Sequence, residues 1–307
     1  MDGVGLTLKP ALQVLALLLL MGGFYVSCEE SWCYDLPSCG PRTWRSRFPT
    51  CNGDRQSPIN IDTRRTVNDA CLGPIKFVGY GDRLRPTEIK NTGHYAEVEM
   101  KSGATISGGG LPGTYQLRSF HFHMGTYNRR GSEHAINGRR HSMELHIVHT
   151  KENLSPEEAK KDPEGYAVLA FFIQKSRSAP VSAAWKTLAD LMETIPEKND
   201  STHLNGEFSL GALLSRADLS KYARYKGSLT TPICNQAVIW TVYEEPILVP
   251  HYVAKKFTES LYFTTKEEGR KMQNNYRPLQ PVNQRKILCF SENESPYYQD
   301  CYGHREI

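Results

Sequence analysis

Short strand-like segments recur along almost the whole chain, and they constrain its fold more than any other sequence feature. Runs rich in β-branched and aromatic residues are typical of strands, and Gly, Pro and Asn between them indicate turns. The clearest runs are IKFVGY, HYAEVEM, YQLRSFHFHM, MELHIVHT, YAVLAFFIQ and VIWTVYEEPI. Helical patterns are short, as in SAAWKTLADLMETI and HYVAKKFTESLYF. Although 307 residues could form two domains, no repeat or linker divides them, so we predict one mostly β domain with small peripheral helices.

The N-terminus has the pattern of a secretory signal peptide. The apolar run ALQVLALLLLMGGFYV follows a single Lys and ends in small residues before two acids. It is shorter than the roughly 20 residues that a membrane-spanning helix needs. We therefore predict cleavage near Cys28. A retained membrane anchor is the alternative.

Cysteine usage and glycosylation sequons agree with secretion. The chain has eight cysteines, which in a secreted protein are disulfide candidates. Sequons for N-glycosylation begin at Asn153, Asn199 and Asn293. The C-terminal segment QDCYGHREI has no hydrophobic tail of the kind that a GPI signal requires. We expect a secreted, extracellular glycoprotein without a transmembrane anchor in the mature chain.

The charge pattern does not indicate nucleic-acid binding. The net charge is +4, and the Arg pairs in YNRRGSEHAINGRRH have no base-stacking aromatic residues between them. Such a pattern is typical of a solvated loop.

The segment SFHFHMG raises the question of a metal site. In a strand, His121 and His123 share one face. About twenty residues later MELHIVH places Glu144, His146 and Val148 on one face, so two antiparallel strands can bring three imidazoles together. Three protein ligands with an open fourth position are typical of catalytic zinc, although copper and iron also accept imidazoles. Glu144 can accept the outer ring N–H of His146. An ordinary strand that carries two histidines is the alternative.

From Trp32 to about Arg285 the chain contains, in this order, the blocks DRQSPINI, NTGHY, GGGLPGTYQLRSFHFHMG, GSEH, MELHIVH, GYAVLAFF, YKGSLTTP, VIWTV and NNYRPLQP. In these blocks and in their order the chain resembles the α-class carbonic anhydrases. The cysteine positions resemble the extracellular, isozyme IV-like branch. The resemblance implies a central, ten-stranded, largely antiparallel twisted sheet. It also implies a zinc-dependent lyase that hydrates CO2 reversibly to bicarbonate and a proton through zinc-bound hydroxide. The expected domains are a signal peptide over 1–28, a catalytic domain over 29–290 and a polar tail over 291–307.

The resemblance also implies roles for single residues. His121, His123 and His146 match the zinc ligands, and Glu144, Ser119 and Asn275 surround them. Thr230 matches a residue that accepts a hydrogen bond from zinc hydroxide and donates one to Glu133, because an ionised carboxylate can only accept. The apolar CO2 pocket is expected to comprise Val148, Val168, Leu229, Thr230, Thr231 and Trp240.

A proton path is implied as well. His94 matches the proton shuttle, and an imidazole that titrates near pH 6.5 can both take and give a proton at neutral pH. Tyr34 and Asn91 match residues that order water between the zinc and the shuttle. Four positions depart from the family pattern: Ser119 replaces a Gln that accepts the ring N–H of the first ligand, Met124 and Tyr276 each replace a Trp, and Tyr95 replaces a small residue. We expect Ser119 to reach His121 only through water, and Tyr95 to restrict the movement of His94.

We predict two disulfides, Cys33–Cys39 and Cys51–Cys234. The first closes a short loop in the Pro-rich N-terminal arm, and the second ties that arm to SLTTPIC. Cys289–Cys301 is a further prediction for the tail, which leaves Cys71 as a free thiol or an intermolecular link.

The expected ligands are Zn²⁺ and the small-molecule pair CO2 and bicarbonate, and we expect a monomer. A catalytically silent relative that serves as a binding or matrix domain is one alternative. Such relatives typically lack a ligand histidine, whereas this chain retains all three. An esterase is another alternative, which the narrow apolar pocket disfavours.

Overall fold

The computed structural model describes residues 32–81, 87–100, 103–180, 182–204 and 208–292. The predicted signal peptide, Asn293 and Cys301 lie outside these residues. The described residues belong to one compact unit that begins at Trp32. None of their helices is both long and apolar enough to cross a membrane.

Strands dominate the secondary structure, as the sequence predicts. The strands are β1 (Asn60–Ile61), β2 (Val67–Asn68), β3 (Ile75–Val78), β4 (Thr87–Asn91), β5 (Ala96–Glu99), β6 (Thr105–Gly108), β7 (Tyr115–Met124), β8 (Ala135–Ile136), β9 (Met143–Lys151), β10 (Tyr166–Ser176), β11 (Ser201–Leu204), β12 (Lys221–Gly227), β13 (Val238–Pro250) and β14 (Leu288–Ser291). The helices are α1 (Trp44–Arg47), a 3-10 helix (Pro49–Asn52), α2 (Pro156–Ala159), α3 (Ala183–Met192), α4 (Leu210–Leu214) and α5 (His251–Ser260). Both predicted helical segments are confirmed in α3 and α5.

One large sheet carries the fold. Its strand order is β11-β4-β5-β7-β9-β10-β13-β12-β14-β2, and β6 pairs with β7 and with β3 at a branch. The prediction of a large, mostly antiparallel sheet is confirmed, but the described sheet has twelve strands rather than ten. Ten of these strands lie on one continuous path, and the other two, β3 and β6, form a branch off it.

Two strand pairs of the large sheet are parallel, β10 with β13 and β14 with β2. Parallel neighbours need a long crossover connection. The segment between β10 and β13 provides it, because it contains α3, β11, α4 and β12. This crossover places β10 and β13 side by side near the middle of the sheet.

The central strands are buried on both faces. Along β10 the side chains alternate between two apolar clusters, Ala167, Leu169, Phe171 and Ile173 in one and Tyr166, Val168, Ala170 and Phe172 in the other. On β7, Phe120 and Phe122 belong to the first cluster. His121 and His123 therefore point to the opposite face of the sheet, because successive strand residues alternate.

Helices α3 and α5 cover the face opposite the histidines. The buried residues of α3 recur at helical spacing: Trp185, Leu188, Ala189 and Met192. The ring of Trp185 contacts that of Phe122 on β7 at a centroid distance of 5.9 Å. The helices thus close one side of the sheet, and the other side carries the histidines.

Candidate metal centre

Adjacent antiparallel strands bring the three predicted ligands together. In the register of β7 and β9, His121 lies directly opposite His146, and His123 lies opposite Glu144. His123 and His146 are 0% and 1% exposed, whereas His121 keeps some exposure. One nitrogen from each ring lies within 4.8 Å of the others. The predicted convergence of three imidazoles is therefore present.

Two of the three rings have an outer nitrogen with a hydrogen-bond acceptor. His123 Nδ1 donates to the carbonyl of Asn275 at 2.7 Å, and His146 Nε2 donates to Glu144 Oε1 at 2.6 Å. These bonds define the tautomers and leave His123 Nε2 and His146 Nδ1 as the nitrogens available to a metal. The predicted contact between Glu144 and His146 is present.

His121 differs from the other two rings. Its Nδ1 is buried and has no hydrogen-bond partner among the described residues. Ser119 is near the ring in sequence but makes no hydrogen bond to it in the structure, in line with the expectation for its short side chain. Instead, the ring of Tyr95 stacks on His121 at a centroid distance of 4.5 Å and an angle of 25°.

The protonation of the rings suits a metal. Burial and the neighbouring imidazoles lower the pKa of His121 well below its usual range. Burial also lowers the pKa of His123, although Glu133 opposes this shift. Neutral imidazoles are the form that binds metal ions. The buried Nε2 of His123, which has no partner among the described residues, completes the fit to a zinc ion held by three imidazoles.

His134 is a functional residue that the sequence reasoning missed. Its Nδ1 donates to Glu144 Oε1 at 2.7 Å, its backbone N–H donates to Oε2 at 2.8 Å, and Tyr225 donates its hydroxyl to Nε2 at 2.6 Å. Burial alone would raise the pKa of Glu144, but His134 and His146 hold this pKa well below its usual range. The position of His134 next to Glu133 in the segment GSEH was the sequence signal that could have identified it.

A second group of possible ligand atoms consists of His134, Glu144 and His146. These atoms are already hydrogen-bonded to one another. We therefore interpret this group as a support for His146 and not as a separate metal site.

Glu133 is fully buried behind the histidines. Its Oε1 accepts the backbone N–H of Arg277 at 2.7 Å, and its Oε2 has no hydrogen-bond partner among the described residues. That oxygen lies 3.5 Å from His123 Nε2 without hydrogen-bond geometry. The expected hydrogen bond from Thr230 to Glu133 is not made in the structure. Oε2 remains available for such a donor.

Arg277 is a second residue that the sequence reasoning missed, although it lies in the NNYRPLQP block. Its buried guanidinium donates to Gln56 Oε1 and the Ser57 carbonyl at 2.8 Å, and to the Cys51 carbonyl at 3.0 Å. Burial lowers its pKa to about 10. Arg277 thereby connects Glu133 with the N-terminal arm.

An apolar wall lies beside His146. Trp240 contacts that ring at a centroid distance of 4.9 Å, and its indole N–H is committed to the carbonyl of Ser228 at 3.0 Å. The wall belongs to one apolar cluster, which includes Val148, Val168, Leu229 and Trp240. Thr230 is buried, and Thr231 is half-buried. The structure thus brings together the apolar residues predicted for a substrate pocket.

His94 lies in an unexpected environment. Its ring stacks on Trp32 at a centroid distance of 3.8 Å and an angle of 10°, and its buried Nδ1 has no partner among the described residues. Burial and nearby Lys198 lower its pKa to about 4, although Asp35 opposes the shift. A pKa near 6.5 was expected from the residue type, and the stacked, half-buried position explains the difference.

Tyr34 packs its ring against Trp32 and Trp44. Its hydroxyl is buried and has no partner among the described residues. Burial, together with Glu133 and Tyr95, raises the pKa of Tyr34 well above its usual range. A neutral hydroxyl near Glu133 remains compatible with the predicted water-ordering role.

Asn91, predicted to order water, has its side-chain amide bonded to backbone groups. The residue is 0% exposed. Its Nδ2 donates to the carbonyls of Ile195, Pro196 and Tyr262, and its Oδ1 accepts the backbone N–H of Gly93. Because these backbone groups surround the amide, Asn91 holds the turn before His94.

The structure contains both predicted disulfides, Cys33–Cys39 and Cys51–Cys234. Cys289 is a free thiol, so the predicted Cys289–Cys301 pair is wrong. Cys71 is disulfide-bonded, so it is not the free thiol that the sequence reasoning left open. Of the sequon residues, Asn153 and Asn199 are exposed.

The fold and the site are those of a β-sheet protein with a metal centre. Three convergent imidazoles that can hold zinc lie on one face of the sheet, beside an apolar wall. Comparison with known proteins names the family. Residues 39–291 match the family model of eukaryotic-type carbonic anhydrase. The chain is 38% identical to carbonic anhydrase 4 of Mus musculus, with 90% of each chain covered. It is 35% identical to carbonic anhydrase 15 of Mus musculus, over 91% of this chain and 89% of the relative. The chain therefore belongs to the eukaryotic-type carbonic anhydrase family, a family of zinc lyases.

Proposed function

We propose that this protein catalyses the reversible hydration of CO2 to bicarbonate and a proton. The observation that carries the proposal is the convergence of His121, His123 and His146 beside the apolar wall formed around Trp240. Zinc held by these three imidazoles would lower the pKa of a bound water to about 7, which makes a nucleophile available at neutral pH; carbonic anhydrase is the standard example of this effect.

The apolar wall suits CO2 as the substrate. Val168 and Trp240 are buried and uncharged, and the indole N–H does not compete for a ligand because it is bonded to Ser228. A small apolar molecule can therefore occupy the space beside His146 without leaving a buried polar group unpaired. A bulky ester would need more room, so we propose hydration and not ester hydrolysis as the main activity.

Thr230 and Glu133 would orient the reacting water. Glu133 Oε2 has no partner among the described residues, and a carboxylate oxygen only accepts hydrogen bonds. If Thr230 donates its hydroxyl to Oε2, its own lone pair is left to accept a hydrogen bond from the water. The bond from the Arg277 N–H to Oε1 holds the carboxylate in place for this role.

His94 would carry the proton away from the site. In the stacked position its pKa of about 4 makes it a poor acceptor at neutral pH. We therefore propose that His94 accepts the proton only after its ring leaves Trp32, when its pKa returns towards that of an exposed imidazole.

We further propose that the chain acts outside the cell. The described disulfides and the exposed sequon residues Asn153 and Asn199 support this location. The proposed boundaries are a signal peptide over 1–28, a catalytic domain over 29–290 and a polar tail over 291–307.

Stopped-flow CO2 hydration tests the reaction directly. The purified protein is compared as isolated, after zinc removal by a chelator, and after addition of one equivalent of zinc. We expect hydration to disappear on removal and to return with zinc. A protein that holds one zinc and does not hydrate CO2 would contradict the proposal and support a silent binding domain instead.

The shuttle role has its own test. His94→Ala should lower turnover in weakly buffered solution, with recovery on addition of free imidazole, because the shuttle moves protons without binding CO2. Unchanged turnover in weak buffer would show that another route carries the proton.

A further inference from the structure

The unpartnered Nδ1 of His121 identifies a missing element of the candidate metal centre. The outer nitrogens of His123 and His146 donate to a carbonyl and to a carboxylate. A metal bound at His121 Nε2 leaves a proton on Nδ1, and a buried donor without an acceptor costs free energy. Metal-ligating histidines almost always have such an acceptor. We therefore expect an acceptor among the groups near this ring.

An acidic residue, Glu97, is paired with His121 across neighbouring strands of the sheet. In the antiparallel register of β5 and β7, Glu97 lies directly opposite His121, and Glu99 lies opposite Ser119. Directly opposed residues share a face of the sheet, with Cβ atoms about 4.5–5.5 Å apart. Glu97 is half-buried, whereas Glu99 is exposed. The side chain of Glu97 thus begins beside that of His121 and is partly withdrawn from water.

Ser119 lies diagonally across the β5–β7 pair from Glu97, because it is directly opposite Glu99. Burial raises the pKa of Glu97, and a hydrogen-bonding interaction with the Ser119 hydroxyl opposes this shift. Ser119 is 9% exposed and lies two residues before His121 on the same strand face. A hydroxyl that donates to Glu97 keeps a lone pair for a second donor.

We infer that Glu97, together with Ser119, supplies the acceptor for the Nδ1–H of His121 and so orients this ring towards zinc. A bridging water spans the remaining gap, since His121 Nδ1 makes no direct hydrogen bond in the structure. Glu97 is a positioning residue that acts through His121. The inference deepens the proposed function and rests on it only in that His121 is taken as a zinc ligand.

Tyr95 cannot take this role. Its ring stacks on the face of His121, and a stacked ring restricts the tilt of the imidazole without accepting an in-plane N–H. The two contacts therefore have different effects on His121. The Tyr95 stack restricts the plane of the imidazole, and the inferred hydrogen bond to Glu97 defines its tautomer.

The rate of zinc dissociation into an excess of chelator tests the inference without any measurement of CO2 hydration. Glu97→Leu removes the acceptor, and Glu97→Gln keeps an acceptor oxygen in a side chain of similar size. Glu99→Leu is the matched control, because it removes an acid from the same strand and face. We expect Glu97→Leu to release zinc about 10–100 times faster than the wild type. Glu97→Gln and Glu99→Leu should stay near the wild-type rate.

A rescue variant separates positioning from a general loss of stability. Ser119→Gln introduces a longer acceptor on β7, so the double variant Glu97→Leu/Ser119→Gln should release zinc at nearly the wild-type rate. Equal zinc release from Glu97→Leu and Glu99→Leu would overturn the inference, and so would a failed rescue in a folded double variant. If Glu97→Leu does not fold, Ser119→Ala is tested in its place. We expect Ser119→Ala to release zinc faster than the wild type. An unchanged rate of zinc release would overturn the inference.

The two proposals fail in different ways. A wild-type protein that retains zinc but does not hydrate CO2 contradicts the proposed function and leaves the role of Glu97 intact. Normal hydration with zinc release that does not depend on Glu97 contradicts only the role of Glu97.

Discussion

At the scale of single residues, the candidate metal centre depends on which nitrogen of His123 and of His146 is already hydrogen-bonded. His123 donates from Nδ1 and His146 donates from Nε2, so the two rings present different nitrogens to the same point. The carbonyl of Asn275 and the carboxylate of Glu144 determine this difference. Each ring is thereby oriented before a metal binds.

We predict that His146→Ala abolishes zinc retention and CO2 hydration while the domain still folds. The change removes one of three ligands but leaves the core cluster on the other face of the sheet intact. Zinc content by elemental analysis, hydration by stopped flow and folding by circular dichroism check the outcome.

The matched control is His149→Gln on the same strand. His149 is also buried, but it is bonded to Tyr80 and to the carbonyl of Ala167 on the opposite face. This variant should keep one zinc even if its stability falls. Zinc loss from His149→Gln, or full activity in His146→Ala, would contradict the assignment.

A second prediction at the residue scale concerns the stack of His94 on Trp32. Trp32→Leu should raise the pKa of His94 from about 4 towards 6.5 and increase turnover in weak buffer, because the ring becomes more exposed. NMR titration of the imidazole and stopped-flow kinetics measure the two effects. The double variant Trp32→Leu/His94→Ala should show no gain, and a gain that persists in it would contradict the role of the stack.

The same stack makes stability depend on pH. The pKa of His94 in the folded protein lies below its unfolded value near 6.5, so the unfolded chain takes up the proton first as the pH falls. Its contribution to the free energy of unfolding therefore declines from about pH 6.5 to about pH 4. We predict that Trp32→Leu flattens this decline, as measured by denaturant unfolding at several pH values. An equal slope in both proteins would contradict the prediction.

At the scale of elements, the N-terminal arm is joined to two parts of the site. The Cys51–Cys234 disulfide connects it covalently to the loop that carries Thr230, and Arg277 bonds both the Cys51 carbonyl and, through its backbone N–H, Glu133. Cys234 follows Thr230 by four positions in the chain. The arm therefore braces the loop beside the metal centre.

We predict that Cys51→Ser/Cys234→Ser reduces both stability and CO2 hydration. The sequence separation is 183 for this pair and 6 for Cys33–Cys39. In the chain-entropy model these separations correspond to losses of about 5 and about 2 kcal/mol. Denaturant unfolding and stopped-flow kinetics of both double variants make the comparison. Equal loss of hydration in the Cys33→Ser/Cys39→Ser control would show that the long-range disulfide does not brace the site specifically.

At the scale of the whole molecule, the sheet separates a helix-covered core from the face that carries the metal centre. The ligand residues lie on neighbouring central strands whose other face is packed in the larger apolar cluster. The site therefore needs little rearrangement to bind zinc, and the larger apolar cluster lies on the face away from the ligands.

We predict that the zinc-free protein remains folded but melts at a lower temperature. A ligand that binds only the folded state adds about 2.7 kcal/mol at a free concentration of 100 Kd. Thermal unfolding in a series of zinc buffers should therefore show a melting temperature that rises with free zinc, and His146→Ala should lose this dependence. An unfolded zinc-free protein, or a melting temperature that ignores zinc, would contradict the prediction.

Local pattern and family resemblance predicted much of the site. A strand period of two is enough to place His121 and His123 on one face and Phe120 and Phe122 on the other. The strand-like segment MELHIVH extended this pair to His146, and the resemblance supplied the order of the other strands, which periodicity alone does not contain. The long strands β7, β9, β10 and β13 could be predicted from local sequence, because each is rich in β-branched and aromatic residues.

Contacts between distant segments decided what the sequence alone left open. Asn91 is surrounded by carbonyls from residues more than a hundred positions away, and His94 stacks on Trp32 from the N-terminal arm. His134 gains its role only where Glu144 and Tyr225 meet it. By itself the sequence determined which residue types lie on each strand face, since neighbouring residues along the chain govern that. Only the tertiary structure decided which hydrogen bonds, stacks and pKa shifts those residues acquire, because these depend on which segments meet and how much water they exclude.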